Sequence, residues 1–95
     1  MIDVFIIYDN QKDLDKLRNS TLNNIFIHSY NMNKRSDRSA GFKLKNEWAS
    51  KNNPFIIIQN NGKTIKCFYS EESYEKDNDI ITQTINFINN ESKSI

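Results

Sequence analysis

Asn53-Pro54-Phe55-Ile56-Ile57-Ile58-Gln59-Asn60-Asn61-Gly62-Lys63 holds a stop, a strand and a turn in eleven residues. Proline has no backbone N–H and pushes the residue before it away from the α region, so a helix arriving from upstream must end here. Phe55 to Gln59 is then almost continuously apolar, as expected of a strand covered on both faces. Asn61-Gly62 supplies two residues that tolerate positive φ, which suits a tight hairpin turn. Lys63 to Tyr69 should therefore return as an antiparallel strand.

Upstream, Val4 to Tyr8 is an uninterrupted apolar run that reads as a central strand. Asp9 to Arg18 opens with capping residues, carries acids early and bases late, and spaces Leu14 and Leu17 three apart, which predicts a short helix complementing its own dipole. Asn24 to Tyr30 reads as a second strand and Asn31 to Asp37 as a turn. Ala40, Leu44 and Trp48 recur every four residues, which predicts a helix from about Ser36 to Ser50. Downstream, Ile80, Ile81, Thr84, Ile85 and Ile88 share one side of a last helix, with Asp77 or Asn78 as its expected cap. Residues 91–95 are expected to fray.

The resulting order is βαβαββα. A helix joins the first two strands, so they should be parallel with a right-handed crossover, and the last two should form the antiparallel hairpin. The expectation is one α/β domain over residues 1–90, a three-layer sandwich around a four-stranded mixed sheet.

The 95 residues carry 13 bases, 12 acids and a net charge of +1, leaving room for one domain and giving no strong overall field for nucleic acid. The single cysteine, Cys67, excludes a disulfide framework, a CxxC pair and a multi-cysteine zinc site. No apolar stretch approaches the roughly 20 residues needed to cross a bilayer, and the first residues read as a strand, without the basic and cleavage features of a signal peptide. A soluble, cytoplasmic protein is the expectation, with no membrane partner and no cofactor. Heavy use of Asn, Lys and Ile points to an AT-rich genome, such as a phage's, in which case the protein would be virion-associated.

The element order, with Pro54 opening the third strand and Asn61-Gly62 eight residues later, resembles the thioredoxin fold family. The closest match is Pro54 to Lys63 with the final helix, which looks like that family's cis-proline strand, hairpin and last helix. The resemblance implies a cis Asn53-Pro54 bond. It also implies that the redox cysteine pair would stand just after the first strand, where this chain has Tyr8, Asp9, Asn10, Gln11 and Lys12. Thiol-disulfide exchange needs an attacking thiolate, and neither an acid nor an amide supplies one. What the resemblance leaves is the groove in which family members hold an extended peptide or glutathione, lined here by Tyr8, Asp9, Asn10, Asn53 and Pro54.

Other chemistry-bearing residues have plainer readings. Cys67 shares a strand face with Ile65 and Tyr69 and is expected to be a buried, inert thiol. His28 has no second ligand at metal-site spacing, so a hydrogen-bonded strand histidine is expected. Asp9, Asp13 and Asp15 lack the glycine and closing glutamate of a calcium loop. Gly41 and Gly62 are too far apart for a phosphate loop. Trp48 belongs with Leu44 and Ala40 in the core, while Phe68, Tyr69 and Tyr74 neighbour acids, the wrong setting for stacking nucleic-acid bases.

Lys34, Arg35, Arg38, Lys43 and Lys45 against Asp37 give +4, and residues 71–79 give −4. These opposed clusters suggest a docking polarity toward a protein partner or a second copy of the chain. The sequence thus predicts a non-catalytic interaction domain serving as an accessory or structural component of a larger assembly. The alternative is a degenerate glutaredoxin-like redox protein, or a glutathione or peptide binder, using Cys67. A nucleic-acid regulator acting through the basic segment ranks below both.

Overall fold

The computed structural model describes residues 1–20, 25–48, 52–69 and 79–93. The chain forms β1 (Ile2–Tyr8), α1 (Gln11–Ser20), β2 (Ile25–Asn31), α2 (Arg35–Lys45), a short 3-10 turn (Asn46–Trp48), β3 (Phe55–Asn60), β4 (Lys63–Phe68) and α3 (Ile80–Lys93). The strands lie in one sheet in the order β2-β1-β3-β4. β1 and β2 are parallel, and the other two pairings are antiparallel. The protein is therefore an α/β domain with a four-stranded mixed sheet and three helices.

Alternation along β1 explains why it is central. Ile2, Val4, Ile6 and Tyr8 face one side and join Ile56 and Ile58 of β3, Leu14 and Leu17 of α1, and Ile80, Ile81, Ile85 and Ile88 of α3. Ile7 faces the other side with Phe55 and Ile57, against which Met32, Leu44 and Trp48 pack. Thr84 is fully buried on α3, and its hydroxyl donates to the Ile80 carbonyl at 2.8 Å, so the polar group in this core is satisfied. Gly41 of α2 lies against the Met32 side chain, just beyond the end of β2. A Cβ there would lie 2.7 Å from the Met32 sulfur.

The hairpin turn is built as its residues require, with φ of 53° at Asn61 and 84° at Gly62. The Asn53-Pro54 bond is cis. Trp48 is half-buried, as expected, but it stands in the 3-10 turn, because α2 ends at Lys45 where Asn46 takes a φ of 47°. Ala49 and Ser50, expected in the same helix, lie outside the described residues. Phe42, expected to flank the apolar stripe, is 50% exposed. Residues 91–93, expected to fray, continue α3.

The cap of α3 is Asp79, one residue beyond Asn78. Its carboxylate accepts the Thr82 N–H at 3.1 Å and the Thr82 hydroxyl at 2.7 Å. The ammonium of Lys16, on α1, pairs with the same carboxylate and donates to the Thr82 hydroxyl at 2.9 Å. Burial opposes the charge on Asp79, but the bonds from Lys16 and Thr82 outweigh it and hold the pKa down to about 2, against an ordinary 3.8. A depressed carboxylate stabilises the fold above its unfolded pKa and stops doing so as the pH falls through the folded one. Asp79→Ala is expected to cost about 1 kcal/mol at neutral pH, the usual worth of an N-cap, and to flatten the stability profile between pH 3.8 and about 2. Both ion-pair side chains are 47% exposed, so the pair contributes little beside the cap itself, and salt that screens it should leave most of the difference. Urea denaturation of both proteins across that range checks this, and parallel profiles would contradict it.

Candidate functional site

The antiparallel pairing of Ile7 with Phe55 brings the end of β1 beside the start of β3. Residues 8–10 therefore meet the Asn53-Pro54 segment at one end of the sheet, so the five groove residues come from adjoining segments. Two contacts from the β2–α2 connection hold the β1 side in place: the Met32 N–H donates to the Tyr8 carbonyl at 2.8 Å, and the Asn33 amide to the Asp9 carbonyl at 2.8 Å. Asn10 then caps α1, its side-chain oxygen accepting the Lys12 N–H at 3.0 Å.

The five residues differ in exposure. Asp9 and Asn10 are exposed, and Asn53 and Pro54 half-buried. Tyr8, expected to line a groove, is only 5% exposed and packs in the core with Leu14 and Leu17, so its side chain is not presented at the surface. Sequence reasoning did not find Lys45 here. It was expected on the exposed basic patch, but it is 2% exposed, donates to the Asn53 side-chain oxygen at 3.2 Å and stands 5.5 Å from the centre of the Phe55 ring. Burial pushes its pKa below the ordinary lysine value, and the Asp9 charge partly restores it. Burial, followed by the charges of Asp9 and Asp79, raises the pKa of Asp13, which Lys16 partly offsets. The charge on Asp9 thus acts on both Lys45 of α2 and Asp13 of α1.

The basic patch consequently reduces to Lys34, Arg35, Arg38 and Lys43, all exposed along or just before α2. Its acid, Asp37, is engaged in accepting the Asn31 N–H at 3.0 Å, and Arg38 donates to the Met32 carbonyl at 2.9 Å. Of the opposed acidic segment, only Asp79 falls within the described residues. Tyr74 lies outside them.

Phe68 and Tyr69 are half-buried and turned toward aromatic partners. Phe68 meets Phe87 edge to face, and Tyr69 stacks on Phe55 with ring centres 5.5 Å apart and lies tilted against Trp48 at 5.3 Å. His28 is hydrogen-bonded as expected: its Nε2 is 2.9 Å from the Asp3 carboxylate and its ring stacks on Phe5 at 4.6 Å. Among the described residues, no three His, Cys, Asp or Glu side chains are grouped to hold a metal ion, and no helix is long and apolar enough to cross a membrane.

Cys67 pairs with Ile57 on β3 and is half-buried. Burial raises its pKa, and the neighbouring Lys66 ammonium offsets only part of this. Since the thiolate is the reactive species, native protein should alkylate more slowly at neutral pH than urea-unfolded protein. Equal rates by mass spectrometry would contradict an inert Cys67.

No family model and no curated protein matches the chain. Among solved structures it is similar to one described as that of a malarial protein, with a TM-score of 0.50 and 15% identity over 87% of this chain and 96% of that one. At this identity the likeness concerns the arrangement of strands and helices alone.

Proposed function

We propose that the protein is a non-catalytic, thioredoxin-like domain that works by binding another protein, as an accessory or structural component of a larger assembly. One observation carries the reading: Asp9, Asn10, Asn53 and Pro54 adjoin at one end of the sheet, braced by buried Lys45, with no cysteine among residues 8–12. Such a site presents a carboxylate and amides to an extended segment, and it lacks the nucleophile for disulfide exchange. The exposed bases Lys34, Arg35, Arg38 and Lys43 extend the surface and favour a partner with acidic residues beside the docking segment.

The competing reading gives Cys67 a redox or glutathione-binding role. Its raised pKa disfavours the thiolate that role needs. Turnover of a small disulfide with glutathione, compared between the natural chain and Cys67→Ser, separates the two. Both should give the same background rate, and turnover that depends on Cys67 would establish the redox reading.

A further inference from the structure

β2 and β4 are the two edges of the sheet, and they are defended differently. Edge strands display N–H and C=O groups that can pair with another chain, and lysines or a bulge normally discourage this. β4 has both: Lys63 and Lys66 are exposed, and its register slips opposite Ile58 and Gln59. β2, Ile25-Phe26-Ile27-His28-Ser29-Tyr30-Asn31, is regular and carries no lysine, arginine, acid, proline or glycine. Phe26 on this edge is 51% exposed.

Hydrogen-bond directions define which part of the edge is open. The Met32 N–H donates to Tyr8, so residue 32 faces β1. Backbone groups alternate in direction along a strand, so Tyr30, His28 and Phe26 also face β1, while Ile25, Ile27, Ser29 and Asn31 face outward. Asn31 is already engaged, its N–H by Asp37 and its carbonyl by the Lys34 N–H at 2.9 Å. Among the described residues no group pairs with the outward side of Ile25, Ile27 and Ser29, which are spaced symmetrically about Ile27.

We propose that β2 pairs antiparallel with β2 of a second copy of this chain, about a two-fold axis at Ile27, joining the two sheets into one. In this register Ile25 pairs with Ser29 of the second copy and Ile27 with its own counterpart, so every outward-facing group finds a partner. Phe26 falls opposite His28 of the second copy, in the closely spaced position where side chains touch. Since His28 already stacks on Phe5, the exposed Phe26 ring would extend that row across the junction.

Charge does not oppose a second copy. The edge carries no fixed charge, and each His28 brings its own Asp3 at 2.9 Å, so juxtaposing two copies forces no uncompensated like charges together. The other symmetric register, centred on His28, would leave Ile25 facing Asn31, whose groups are engaged. Pairing β2 with a β4 edge would meet the lysines and the bulge, and would propagate without closing. The proposal does not depend on the groove's function.

Sedimentation of the full chain over a wide concentration range tests it. The natural chain should reach twice the 11.2 kDa chain mass, Phe26→Lys should stay at the single-chain mass with an unchanged circular dichroism spectrum, and Lys66→Ser should associate like the natural chain. In a Cys67→Ser background, Phe26→Cys with His28→Cys should give disulfide-linked dimers on mild oxidation. This second readout decides the matter should Phe26→Lys unfold. A natural chain that stays at the single-chain mass at every concentration overturns the proposal. So does association that survives in folded Phe26→Lys, or an absence of cross-linked dimer.

Discussion

Phe55→Ala is expected to destabilise the protein by about 3 to 5 kcal/mol, the usual cost of emptying a buried phenylalanine site. Phe55 is fully buried and holds together the smaller of the two hydrophobic layers. Its ring stacks on Tyr69, lies 6.4 Å from Trp48, and faces the Lys45 ammonium. The layer beneath it consists of Ile7, Ile57 and half-buried neighbours, so little can collapse into the space. Against a total stability of about 5 to 15 kcal/mol for a domain of this kind, the variant should be marginal at 25 °C and lose the Lys45 brace as well. Urea titration followed by tryptophan fluorescence checks both, because Trp48 reports on this layer. A loss below about 1 kcal/mol, the range of surface substitutions, would show that Phe55 does not organise it.

Asp9→Lys is expected to have the largest effect on binding while leaving the fold intact, because Asp9 is exposed and its carbonyl, not its side chain, holds Asn33. The change reverses the charge at the groove mouth and places a second cation near Lys45. Loss of a central binding contact costs about 2 kcal/mol or more, so partner affinity should fall about tenfold or further. The same substitution removes the charge that supports the Lys45 ammonium, so the Lys45 pKa should fall further. Direct titration of the lysine by NMR would show this, and an unchanged value would contradict the coupling across the groove.

The elements were legible where local chemistry and tertiary packing agree. Pro54, Gly62 and the isoleucine runs each impose one backbone outcome, and the structure places the strands and turn within two residues of where these residues put them. Boundaries shifted where competing caps stood side by side: Asp77, Asn78 and Asp79 are all capable N-caps, and Lys16 on a different helix favours Asp79. Lys45 was misplaced for a related reason. It falls four residues after buried Gly41 on the inward side of α2, but among lysines and arginines it reads as one more solvated base. Only the arrival of Asn53 and Phe55 from another part of the chain makes a buried site for it. The i, i+4 spacing from Gly41 was the available signal, and composition obscured it. Phe68 and Tyr69 were hidden likewise, because their partners Phe87, Trp48 and Phe55 lie in other elements.

The central claim, that the Asp9–Asn10 and Asn53-Pro54 end of the sheet is a protein-binding groove, is tested most directly by quantitative capture from the native host with mass-spectrometric readout. The natural chain and Asp9→Lys would be compared at equal loading, with Cys67→Ser as the control for a thiol-dependent role. The account predicts a partner retained by the natural chain and by Cys67→Ser, and depleted about tenfold or more by Asp9→Lys. Equal retention by Asp9→Lys, or loss confined to Cys67→Ser, would contradict it.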